Sequence, residues 1–177
     1  MPVPSRARKL TAALSCAALL AAALAVPACS QHVDFRQALQ VSDVSGGWYD
    51  FGVVDGKNKL VPSITFRIKK QPGTSLRAVD INVHFKKVSA ENPGSKEAEE
   101  EMDEVFRQQI EFSEGDQTAL VTVRPATGFT GDAPQTRAEM MAHRLFRDVR
   151  ARVFAKESST TWVDLVSYDI PRVLITK

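Results

Sequence analysis

The sequence predicts a mainly β protein, an antiparallel β-sandwich with one short α-helix near residues 136–146, behind an N-terminal signal segment. Three features carry this. Apolar and polar residues alternate at Ile64, Phe66 and Ile68, and again at Val79, Ile81, Val83 and Phe85, the period of a strand with one wet face. Turn formers punctuate the chain at short intervals, as at Asp55-Gly56 and Pro72-Gly73. An Ala- and Leu-rich run lies behind three basic residues at the N-terminus.

That N-terminus has the three zones of a secretory signal: Arg6, Arg8 and Lys9, then an apolar stretch over residues 10–26, then small residues before a cut. The apolar stretch is Ala-rich and closes at Pro27, short of the roughly 20 strongly apolar residues of a membrane span. Val26-Pro27-Ala28-Cys29 resembles the bacterial lipobox, in which the cysteine thiol is joined to diacylglycerol and the chain is cut just before it. Val26 and Ala28 match that motif, while Pro27 departs from its usual small residue. The resemblance makes Cys29 the lipidated residue, and several acyl chains there would anchor the protein where one would be marginal. An ordinary secretory cut would also fall after Ala28 and leave a free Cys29 thiol. Cys16 leaves with the signal in either case, so Cys29 has no disulfide partner. The domain plan is then a signal peptide over 1–28, Cys29 and a tether over 29–38, and a β-sandwich domain over 39–177.

The elements follow in order. Residues 39–44 alternate weakly and Gly46-Gly47 interrupts them. Asp55-Gly56 between apolar runs signals a hairpin, because both residues tolerate positive φ. Pro62 suits the start or edge of a strand. The runs around Pro72-Gly73 are predicted to pair with each other as an antiparallel hairpin. Residues 89–104 hold seven acids and are predicted to form a solvated loop or a short helical turn, since consecutive glutamates repel. A strand with Phe106, Ile110 and Phe112 inward follows, then one carrying Ala119, Val121 and Val123. Residues 125–135 read as a Gly/Pro loop. Thr136 and Glu139 have capping-box spacing at the start of the helix, whose apolar stripe is Ala138, Met140, Met141 and Leu145. Val149, Ala151, Val153 and Ala155, then residues 162–170 and 172–175, give two or three closing strands.

The stretch from Leu76 through Val79, Ile81, Val83 and Phe85 resembles the FxLYD-type, immunoglobulin-like modules of bacterial envelope proteins. The tyrosine and aspartate that follow the phenylalanine in that family are replaced here by Lys86 and Lys87. The C-terminal part is similar to small bacterial lipoproteins without assigned activity. The resemblance implies an immunoglobulin-like antiparallel β-sandwich and brings no activity with it.

Charge and motifs narrow the function. Residues 1–28 contain three of the 23 basic residues and none of the 21 acidic ones, so the remainder carries a net charge of about −1 and no nucleic-acid footprint. His32, His84 and His143 have no metal-ligand spacing, and neither a GxSxG elbow nor a phosphate loop is present. Asp50, Asp55, Asp164 and Asp169 read as turn formers and caps. No cofactor and no metal is expected. The aromatic residues Trp48, Tyr49 and Trp162 are the candidate binding residues, with core packing as their other reading. The expectation is a lipid-anchored, non-catalytic binding or scaffold module of the bacterial envelope, contacting an envelope protein. An accessory lipoprotein with a lipid, sugar or peptide in a pocket is the alternative. Ser30 stands where many inner-membrane lipoproteins carry aspartate, which favours the outer membrane.

Overall fold

The computed structural model describes residues 34–89, 99–113, 115–157 and 161–176. The stretch read as a signal segment, Cys29 and residues 90–98 lie outside them.

The described chain opens with a single helical turn, α1 (Phe35–Ala38), capped by the Asp34 carboxylate, which accepts the Arg36 N–H at 3.0 Å. A turn this short is held by packing rather than by propensity. Phe35 is 4% exposed, and it and Ala38 belong to the core. This turn falls within the stretch read as tether, and Phe35 anchors it to the core.

Strands β1 (Leu39–Val54) and β2 (Lys57–Lys70) form a long antiparallel hairpin. Asp55 and Gly56 close it with φ of 50° and 76°, the paired positive values of the turn that matches strand twist. Gly46-Gly47 does not end β1. At Gly47 the absent side chain lets β9 (Leu174–Ile175) lie parallel against the strand. Pro62 sits within β2, opposite Trp48. Trp48 N–H points away from β2, donating to the Val173 carbonyl at 2.7 Å, so this is a non-hydrogen-bonded pair that needs no N–H from proline. On its other edge β2 pairs with β5 (Val121–Val123) at residues 64–66 and with β6 (Phe129–Asp132) at 57–60, leaving Pro62 in the gap between them.

The second sheet has the order β4-β3-β7-β8, from β3 (Ala78–Val88), β4 (Glu99–Glu111), β7 (Val149–Lys156) and β8 (Val163–Asp169), all antiparallel. The predicted pairing of β2 with β3 does not occur. Both edges of each strand are taken by others, and the segment between them carries the chain from one sheet to the other. Their apolar faces meet in one core instead: Leu60, Ile64, Phe66 and Ile68 on one side, and Val79, Ile81, Val83, Phe85, Ala151 and Val153 on the other.

Four further expectations are corrected. Glu99 to Glu104 are strand, not loop or helical turn, because β3 and β7 present Lys86, Lys87, His84 and Arg150 opposite them. Phe106 points outward: an extra residue near Gln109, at φ 49°, shifts the β3–β4 register and reverses the face on which Phe106 falls relative to Ile110. Residues 125–135 contain β6. The helix α2 spans only Arg137–Ala142; its Thr136–Glu139 capping box forms as read and Met140 is buried, but Leu145 lies beyond the helix and is exposed.

Candidate functional site

From Val79 to Phe85 on β3 and from Val149 to Ala155 on β7 the odd-numbered residues fill the core, so Asn82, His84 and Lys86 and then Arg150, Arg152 and Phe154 face outward. Cross-strand partners order this face. Lys86 meets Glu101 at 3.5 Å, and His84 Nδ1 lies 3.4 Å from the same carboxylate. Arg152 pairs with Asp164, and Arg150 bridges Glu99 at 2.7 Å and Asp169 at 2.6 Å. The Asp169 hydrogen bond holds the Arg150 pKa above its ordinary value; burial opposes this and Glu99 adds to it.

Asn82 is 6% exposed although it lies on the outer face. Its amide donates to the Glu104 carboxylate and approaches His84 Nε2 at 3.1 Å. Its Oδ1 has no partner. Phe106, opposite Asn82 on β4, meets Trp162, the residue before β8, edge-on at 5.7 Å, so the two rings reach across the middle strands. Phe154 packs edge-on against His84 at 4.9 Å, and Lys156 Nζ lies 4.8 Å over Trp162. Phe106 remains 41% exposed. The result is an aromatic ridge on a lattice of fixed charges, suited to binding through shape and charge.

Beside the ridge, a polar cleft of about 380 Å³ is lined by Ser75, Arg77, Asp80, Gln108, Gln109 and Glu157. The Asp80 carboxylate accepts the N–H of the positive-φ residue Gln109 at 2.9 Å, fixing the bulge that shapes this wall. A groove beside α2 is lined by Asp132, Gln135, Thr136, Glu139 and His143. A crevice of about 70 Å³ takes its walls from both sheets, through Trp48, Phe129, Met102 and Val149.

The candidate aromatics do not form one site. Trp48 is core, 1% exposed, with its ring 4.4 Å from Phe146. Tyr49 is half-buried on the other sheet, with the Arg124 guanidinium 3.9 Å over its ring. Trp162 alone reaches the ridge. Asp50 binds Arg137 at 2.9 Å, Asp55 makes the hairpin turn, and Asp164 and Asp169 are ion-pair partners. His143 closes α2, near Phe129. Among the described residues no group of His, Cys, Asp and Glu is placed to hold a metal ion, and no helix is long and apolar enough to cross a membrane. Sequence reasoning missed Asn82, Glu104, Phe106 and Phe154. An asparagine amid the apolar alternation of β3 was their one local signal.

Comparison of the chain with family models, with curated proteins and with solved structures finds no match in any of the three.

Proposed function

We propose that this chain is a non-catalytic binding module of the bacterial envelope, held by a lipidated Cys29 on the outer membrane and presenting its β4-β3-β7-β8 face to an envelope protein. The observation that carries the reading is the exposed Phe106–Trp162 ridge on an ordered lattice of charges. Aromatic anchors ringed by charge are what interfaces use. The small volume of the crevice at the core, about 70 Å³, favours a surface partner over a ligand enclosed between the sheets. The strand order supports an immunoglobulin-like plan: β4-β3-β7-β8 against β1-β2-β5, with consecutive strands crossing between the sheets. The polar cleft of about 380 Å³ favours a second reading, a small polar ligand bound beside the ridge.

Two measurements test the proposal. Palmitate labelling and intact mass should show acylation that Cys29→Ala abolishes; an unacylated chain beginning at Cys29 overturns the anchor. A photo-crosslinking residue placed at Phe106 in cells should capture one defined envelope protein, and the capture should fall with Arg152→Glu. Absence of any adduct removes the protein-partner reading.

A further inference from the structure

The crevice beside Trp48 has two properties that belong together. Its walls are apolar: Trp48, Met102, Phe129, Leu145 and Val149. The remaining lining residues include two cations, Lys87 and Arg147. Lys87 holds Glu100 at 3.1 Å in an exposed pair that another carboxylate can replace at little cost. Arg147 donates to the Arg144 carbonyl at 3.2 Å and meets no carboxylate within ion-pair distance among the described residues. Leu145, between these two arginines in sequence, is 59% exposed.

About 70 Å³ is far below the few hundred that a small-molecule site occupies, so the guest is the end of one side chain. We infer that this crevice receives an aliphatic side chain from an acidic peptide segment of the partner protein, with the acidic flanks meeting Lys87 and Arg147. The aliphatic side chain matches the apolar walls, one acidic flank meets Arg147, and the other replaces Glu100 at Lys87. The inference rests on the binding-module reading and adds a second contact to it: Trp48 and Val149 are core residues, whereas the ridge is on the outer face of the β4-β3-β7-β8 sheet.

The test uses the full chain carrying Trp162→Phe, which leaves Trp48 as its one tryptophan. Capped Glu-Leu-Glu peptide should produce a saturable change in Trp48 emission. Capped Lys-Leu-Lys and Glu-Ser-Glu should bind at least about tenfold more weakly, and Arg147→Glu should weaken Glu-Leu-Glu by about tenfold, the loss expected for one charge-assisted contact. No response to Glu-Leu-Glu, or equal responses to all three peptides, overturns the inference. Photo-crosslinking in cells separates it from the reading beneath it. An adduct at Leu145 that Arg147→Glu abolishes supports the crevice; an adduct at Phe106 alone removes the crevice and leaves the binding module standing; no adduct at either position removes both.

Discussion

Arg150 donates to Glu99 at 2.7 Å, and the Glu99 side chain is 1% exposed. A carboxylate that deep is tolerable only because the guanidinium opposite supplies both charge and a hydrogen bond. Arg150→Met should therefore destabilise the domain by about 3 kcal/mol, by leaving the carboxylate buried and unpaired. Adding Glu99→Leu should recover most of that loss. Urea unfolding of the two variants checks this, and a double variant no better than the single one would remove the pair from the account of β4.

Asp50 titrates below the ordinary aspartate value of 3.8, chiefly through the Arg137 hydrogen bond; burial opposes and the Gly52 N–H reinforces. For Asp103 burial is the largest influence and raises its pKa, but the backbone and side chain of Thr127, with the backbones of Glu104 and Ala126, outweigh it and hold it low. Carboxyls depressed by folding contribute stability that is full above their unfolded value and lost as pH falls through the folded one. Asp50→Asn should thus be less stable than the parent at pH 7, with the difference shrinking below about pH 3.8 and vanishing beneath the folded pKa. Denaturation midpoints from pH 7 to about pH 2 give this profile; a difference that grows toward acid contradicts it.

A Cβ on Gly47 would stand 2.6 Å from the Val173 carbonyl oxygen and 2.8 Å from Ile175 Cγ1. The first obstacle is backbone and cannot swing aside. Gly47→Ala should release β9 from β1 and cost about 2 kcal/mol. Amide exchange at Trp48, whose N–H is bonded to Val173, should accelerate in the variant while exchange in β3 and β7 changes little.

The Phe106–Trp162 contact should show a coupling of about 1 kcal/mol in a double-mutant cycle with Ala at each position. Thermal or urea unfolding measures it. A coupling near zero would mean that the rings share a surface without supporting each other.

Much of the architecture was legible locally. The paired positive φ at Asp55-Gly56, the capping box of Thr136 and Glu139, and the inward set Val149, Ala151, Val153 and Ala155 depend on neighbours in sequence, and each forms as read. Strand partnership was not legible. Alternation at Ile64–Ile68 and Val79–Phe85 states which face is apolar, not which edge meets which strand, and the two runs face each other across the core. The acidic stretch was misread for a related reason. The repulsion among Glu99, Glu100 and Glu101 is local, whereas the cations that relieve it come from β3 and β7, as far away in sequence as Arg150.

By itself the sequence determined the mainly β character, the principal turns, and an N-terminal segment resembling a lipoprotein signal ahead of Cys29. These rest on periodicity, local dihedral preference and composition, all short-range properties. Only the tertiary structure decided that Trp48 is core, that Trp162 meets Phe106, and that Arg147 and Lys87 border an apolar crevice. Those relations depend on strand register and on one bulge near Gln109, and a shift of a single residue there turns a side chain from one face of the sheet to the other.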